Sequence, residues 1–149
     1  MFEVSPPTSP NPYLIVIGFG VPGRAVVDEA RHSNLEICVI EMNPNTVKRC
    51  KNPDVKMVVG DARDPVILQQ AEIIRASMVV VAIPDEESAL QVTRLARHLN
   101  GAAKIITRCH FTSAGFQAKD AGADEVVVAE TVVATQMVTL LAALLGKSD

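Results

Sequence analysis

Tyr13-Leu14-Ile15-Val16-Ile17-Gly18-Phe19-Gly20-Val21-Pro22-Gly23 is an aliphatic run that breaks into glycines spaced G-x-G-x-x-G. The first five residues are mostly β-branched or aromatic and have no polar alternation, the pattern of a parallel strand buried on both faces. Gly18 permits a tight turn, Gly20 lets a diphosphate approach the backbone where a Cβ would stand, and Gly23 lets the following helix pack close to the strand. The helix then starts with its free N–H groups and its dipole directed at a bound anion. Pro22 suits the first turn but has no hydrogen to give. The expected donors are the amides of Gly20, Val21, Gly23 and Arg24, with Phe19 between the first two glycines. This is the pattern of a nucleotide-binding turn, and because glycine-rich turns are common, its surroundings must decide.

The surroundings agree. Residues Val21 to His32 suit a helix that packs through Ala25, Val26, Val27 and Ala30, with Asn34 closing it before a second apolar run, Leu35 to Ile40. That run ends in Glu41 and Met42. An acidic residue about 20 positions past the glycine turn, at the carboxyl end of the second strand, accepts hydrogen bonds from a ribose hydroxyl pair and repels a 2′-phosphate. The expected ligand is therefore NAD or another adenine nucleotide rather than NADP. Solvation of a strand end is the alternative role for Glu41.

Strand-like and helix-like segments alternate from Tyr13 onward. Strands are predicted at Tyr13–Ile17, Leu35–Ile40, Val55–Val59, Met78–Ile83, Lys104–Thr107 and Glu125–Val128. Helices are predicted at Val21–His32, Pro44–Lys51, Asp64–Ala71, Asp85–Leu99, Thr112–Ala121 and Thr131–Leu145. Six β-α steps predict an α/β fold, a Rossmann-like doubly wound parallel six-stranded sheet of order 3-2-1-4-5-6. Ligands in such sheets sit beyond the strands' carboxyl ends where the order reverses, so Gly18 to Gly23 and Ala82-Ile83-Pro84 should flank the crevice. At the end of the third strand, Gly60 allows close approach, and Asp61 with the Ala62 backbone can meet an adenine edge; capping of the next turn explains Asp61 equally well. Asp64-Pro65 suits an N-cap followed by the first helical position. Asp85-Glu86-Glu87 at one end of a helix and Arg94, Arg97 and His98 at the other complement the macrodipole, which is a stability feature rather than a set of catalytic acids. His32 and His98, near helix ends, are assigned to the dipole and not to a metal. Arg108, leaving the fifth strand on the ligand rim, suits a phosphate, a neighbouring subunit or solvent.

Composition narrows the classes further. A chain of 149 residues with 48% hydrophobic and 21% charged residues is suited to one domain with a real core. A formal net charge of −3 and 3% aromatic residues argue against a nucleic-acid surface. Cys38, Cys50 and Cys109 are odd in number and lack metal spacing, so reduced thiols in a cytoplasmic protein are expected. Cys109 and His110 are adjacent on a strand and point to opposite faces, which argues against a catalytic pair. Residues 1–12 contain four prolines and no apolar core, and so predict a flexible arm rather than a signal peptide. Residues 13–145 form the predicted domain and 146–149 a tail. From Thr131 to Leu145 no residue is charged. A helix apolar nearly all round needs cover on several sides yet is short for a membrane span. The expected cover is a second subunit or an exchanged copy of the helix, with burial under its own sheet as the alternative.

Taken together, Gly18-Phe19-Gly20-Val21-Pro22-Gly23, Val39-Ile40-Glu41, Val59-Gly60-Asp61-Ala62, Met78 to Asp85, Ile105-Ile106-Thr107-Arg108 and Ala121 to Val127 resemble the N-terminal domain of the regulator-of-potassium-conductance family, also called RCK N, TrkA-N or KTN. The resemblance implies a cytoplasmic regulatory domain, not an enzyme, that binds NAD(H), ATP, ADP or AMP. It also implies a homodimer or higher assembly that gates a membrane channel, transporter or antiporter as part of a transport complex on the inner face of the membrane. The family's nucleotide residues carry over onto the glycine turn, Glu41, Asp61, Ala62 and, less fully, Arg108. Val21-Pro22 departs from the polar or basic pair common in the turn, and Glu41 stands where Asp is common, so the preferred nucleotide stays open. The chain is expected to be a minimal form or a fragment of a longer transport protein. The rival class is the cofactor domain of an NAD-dependent oxidoreductase, which needs a proton donor beside the nicotinamide.

Overall fold

The central strand β1 (Tyr13–Ile17) is buried at every residue, which is why its sequence shows no alternation. The computed structural model describes residues 11–147, so the arm expected over residues 1–12 lies outside it up to residue 10, as do residues 148 and 149 of the expected tail. β1 is flanked by β2 (Glu36–Glu41) and β4 (Met78–Val81), with β3 (Val55–Val59), β5 (Lys104–Cys109) and β6 (Glu125–Val128) completing a six-stranded sheet of order β3-β2-β1-β4-β5-β6. All pairings are parallel. The helices are α1 (Val21–Ala30), α2 (Pro44–Arg49), α3 (Pro65–Gln70), α4 (Glu86–Leu99), α5 (Thr112–Ala121) and α6 (Ala129–Leu144). The predicted Rossmann-like topology is the one observed.

Several boundaries moved, each for a local reason. β4 stops at Val81 rather than Ile83, because Ala82 N–H makes the last bond, 2.8 Å to the Ile17 carbonyl, and Pro84 has no hydrogen to continue the ladder. β5 runs on to Cys109 because β6 pairs Arg108 with Val127 and Cys109 with Val128. α1 closes at Ala30, before the expected His32, and Ala25 faces solvent instead of packing. A short 3-10 turn at Ile73–Arg75, entered through Glu72 at φ 59°, was not foreseen. α6 starts at Ala129 and so includes Glu130 in its first turn, where an acid favours the helix N-terminus.

Side chains on the two faces of the sheet form two cores. Ile15, Ile17, Cys38, Ile40, Val79, Val81 and Ile105 meet α3, α4 and α5. Leu14, Val16, Ile37 and Val39 meet Val27 and Ala30 of α1. The second face is covered over β1 to β3 and in part over β4, where Met78 and Val80 pack against the same cluster. Across β5 and β6 it exposes Ile106 and Val127 at 39% and 45%. α6 does not fold back over them: none of its residues is buried, so burial under its own sheet is excluded within this chain. Past Leu144 the chain turns off through Gly146 at φ 70°, and Lys147 N–H reaches the Ala142 carbonyl at 2.9 Å.

At the amino ends of the strands one buried side chain joins three segments. Asn100 Nδ2 donates to the carbonyls of Ile73 (2.8 Å), Ala76 (2.9 Å) and Ile74 (3.3 Å), and its Oδ1 accepts from Ala102 and Ala103 N–H at 3.0 Å. Truncation would strand buried donors and acceptors together. We expect Asn100→Ala to lower unfolding free energy by about 2–4 kcal/mol in urea titration, and a loss below about 0.5 kcal/mol would contradict this account.

Candidate functional site

Strand register builds the site. Ile17 pairs with Ile40 on one side and Val81 on the other, so the next residue of each strand, Gly18, Glu41 and Ala82, stands at one level. Gly18 N–H closes on the Ile40 carbonyl at 2.9 Å, and Gly60 N–H closes on the Glu41 carbonyl at 3.0 Å. Gly18 then turns with φ 99°, a conformation that costs a side chain dearly, and a Cβ there would lie 3.0 Å from the Ala82 carbonyl group. At Gly23 the contact is tighter still: a Cβ would stand 1.9 Å from the Gly18 carbonyl oxygen. Gly20, at the N-cap of α1, has nothing within 4 Å of a would-be Cβ. The glycines therefore divide the work as expected, one turning, one packing and one leaving open space.

That space belongs to a cleft of about 350 Å³ at the switch between β1 and β4. Its walls bring together Gly18, Phe19, Gly20, Glu41, Met42, Gly60, Asp61, Ala62, Ala82, Ile83 and Pro84 from the expected set. Ile17, Ile40, Asn43, Arg63, Asp85 and Ser88 also line it and were not foreseen. A second hollow of about 480 Å³ lies beside the other end of α1, among Asp28, Arg31, His32 and Asp54, away from the strands' carboxyl ends.

Val21, Pro22, Gly23, Arg24 and Arg108 do not line the cleft. Val21 and Pro22 are exposed in the first turn of α1 at its mouth, and Gly23 is buried beneath. Arg24 requires a correction. Its amide is spent inside the helix, 2.9 Å from the Gly20 carbonyl, because only the first three helical N–H groups lack a partner. Its guanidinium turns back onto the Phe19 carbonyl at 3.1 Å and over the Phe19 ring, 5.3 Å from the centroid. Arg108 sits two strands from β1, opposite Val127 in β5, and is likewise corrected out of the cleft wall.

The carboxylates of the cleft are each partly engaged. Glu41 Oε2 accepts from Met42 N–H at 2.6 Å, which orients it across the strand end and leaves its other oxygen available. Asp61 takes the turn-holding role weighed for it, accepting from Arg63 N–H at 2.9 Å, and it also grips the Arg63 guanidinium at 2.7 Å. That guanidinium holds the Asp61 carboxyl below the usual carboxylate range. On the opposite wall Asp85 caps α4, with Oδ2 accepting from Ser88 N–H at 2.9 Å and Ser88 Oγ at 2.6 Å, and those bonds lower its pKa too. The Asx turn at Asp61 and the spacing Asp85-x-x-Ser88 were signals for Arg63 and Ser88, since each places the partner where the carboxylate already points.

Behind the wall, His110 Nε2 lies 2.7 Å from the Pro84 carbonyl, which fixes that nitrogen as the protonated one. Cys38 and Cys109 are buried free thiols, both raised in pKa by burial. Among the described residues no group of three or more His, Cys, Asp or Glu side chains is placed to hold a metal ion.

Comparison with known proteins matches residues 14–129 to the TrkA-N domain model. YbaL of Escherichia coli (strain K12), described as a cation/proton antiporter, is 27% identical over 129 residues, which cover 87% of this chain and 23% of that protein. Among solved structures, the TrkA-N domain of inner membrane protein ybaL from Escherichia coli superposes with a TM-score of 0.82 at 27% identity, covering 87% of this chain and 96% of that one. The GsuK channel bound to NAD superposes with a TM-score of 0.78 at 28% identity, covering 89% of this chain and 24% of that one. This chain thus spans about a quarter of the length of such proteins.

The N-cap glycine and the first-turn glycine of α1 predict opposite outcomes for the same substitution. Gly20→Ala should leave stability within about 0.5 kcal/mol, whereas Gly23→Ala should cost about 3 kcal/mol, because backbone must move. Equal effects in paired thermal melts would refute the contact assigned to Gly23.

Proposed function

This chain belongs to the TrkA-N domain family, and on that premise we propose that it is a regulatory domain that binds an adenine nucleotide and controls a cation-transporting membrane protein. The observation that carries the proposal is the cleft itself, where an uncapped helix N-terminus and a ribose-ready carboxylate face each other across one strand end. α1 begins at Gly20 with no capping side chain and no acid in its first turn, so its dipole and amides are left for an anion. Glu41, one strand away, has the position and a free oxygen for a sugar hydroxyl pair. The adenine then lies over Gly60 to Ala62, where Asp61 reads its edge. The NAD-bound relative at 28% identity supports this choice of ligand class.

Regulation rather than catalysis is supported by the lining. It offers no His, Lys, Tyr or Cys beside which a hydride acceptor could be protonated. The partner is inferred from the relatives, an antiporter and a channel, and a position at the inner face of a membrane is proposed with it. No helix among the described residues is itself long and apolar enough to cross one. A homodimer is proposed from two exposed surfaces in the same chain. α6 presents Val133, Met137, Leu141 and Leu144 to solvent at 55% or more, and the sheet face over β5 and β6 is uncovered. A second copy supplies cover for both.

Mass spectrometry under native conditions of the purified full chain should find an adenine nucleotide on a dimer. Gly20→Asp, which fits the open space but puts a carboxylate against the phosphate, should abolish retention without altering the melt. Leu141→Asp should shift the solution mass to that of a monomer. A chain that binds no adenine nucleotide at millimolar concentration would refute the functional assignment.

A further inference from the structure

Two helix N-termini face the crevice, and they are opposites. That of α1 is uncapped and carries no acid. That of α4 is closed by Asp85, whose carboxylate occupies the Ser88 amide, and its first turn adds Glu86 and Glu87. Glu86 turns away, accepting from His110 N–H at 2.8 Å, and Glu87 pairs with Gln91, so Asp85 is the acid left on the cavity wall. The rest of the charged lining is Glu41, Asp61 and Arg63; the Arg63 guanidinium is held bidentate by Asp61, and its weaker attraction to Asp85 offsets only part of that carboxylate's charge. No lysine lines the cleft, so nothing there resembles the side chain that holds the β- and γ-phosphates in a P-loop. An anion is welcome on one side of the switch point and repelled on the other.

Resting on the nucleotide-binding assignment above, we infer that the site selects its ligand by charge: it takes NAD⁺ or a monophosphate in preference to ATP, and Asp85 is the residue that sets this preference. With the adenosine on Glu41 and Asp61 and the first phosphates on α1, whatever extends further crosses the end of β4 toward Asp85 and Ser88. A nicotinamide nucleoside brings hydroxyls and a cationic ring to that wall. A triphosphate brings its most charged end to a carboxylate that already fills the helix cap.

The test is calorimetric titration of the full chain with NAD⁺, AMP, ATP and adenosine at low salt. NAD⁺ and AMP should bind at least about tenfold more tightly than ATP, a gap in keeping with one or two like-charge contacts in partly screened surroundings. Asp85→Asn keeps the cap, since asparagine caps as well as aspartate, and should narrow the NAD⁺ to ATP gap by about fivefold. Glu87→Gln, a charge removed outside the cavity, should change it by less than about twofold, and raised salt should shrink the gap in the unaltered protein. ATP binding as tightly as NAD⁺ would overturn the inference while leaving the nucleotide assignment intact. A gap that survives Asp85→Asn would overturn the role given to Asp85. Failure of every ligand, adenosine and AMP included, would sink the nucleotide assignment itself.

Discussion

The approach of α1 to the Gly18 turn is the constraint on which the site depends. Only hydrogen fits between Gly23 and the Gly18 carbonyl oxygen, since a methyl carbon would stand 1.9 Å away. That contact sets the height of the helix above the sheet and aims its first amides past Gly20 into the cleft. The register of β1 with β2 then does the rest, because Gly18 and Glu41 follow paired residues and arrive at the same level. A polar end of a helix and a carboxylate are thereby held on one rim by backbone geometry alone. No long side chain has to be ordered to make the anion site, so its entropic cost is met when the protein folds.

Electrostatics give the rim a direction. On the β2 and β3 side Asp61 is paired with the Arg63 guanidinium, and Glu41 is oriented by the Met42 amide with one oxygen left over. The β4 side ends in a helix whose cap is already filled. Asp61 and Asp85 are both held below the ordinary carboxylate range by these bonds. Because their folded pKa values are depressed, the stability they lend is present above the unfolded carboxylate pKa and fades as pH falls through the folded values. Acid weakens the walls of the site and the helix that frames it together.

The element order, the central strand, the glycine turn and Glu41 were legible because each is written in local pattern: a run of aliphatics, a spacing of glycines, an acid at a strand's end. The errors came where the decision is tertiary. β5 grew to Cys109 only because β6 lies beside it, and β4 stopped early because of a proline two residues past its last bond. Arg24 was legible as near the ligand but not as turned away, since its direction is set by the Phe19 carbonyl and ring. Arg63, Asp85 and Ser88 carried turn and cap signals that point to stability first. Only folding shows that those caps are also the cleft's walls. Arg108 illustrates the converse: a strand's carboxyl end puts a residue on that rim of the sheet, but β4 stands between it and the glycine turn of β1.

The site and the uncovered C-terminal helix are not independent parts of the chain. His110 donates to the carbonyl of Pro84 on the cleft wall, its own N–H rests on Glu86 at the start of α4, and its carbonyl accepts from Glu130 in the first turn of α6 at 3.3 Å. One residue between β5 and α5 therefore ties the rim of the cleft to the root of the helix that carries the exposed apolar surface. A ligand shifts an equilibrium only as far as it binds the two states differently. Pro84 and Glu130 are connected through two hydrogen bonds and the ring and backbone of His110. A wall of the cleft and a helix that lacks cover thus share His110 as an anchoring residue.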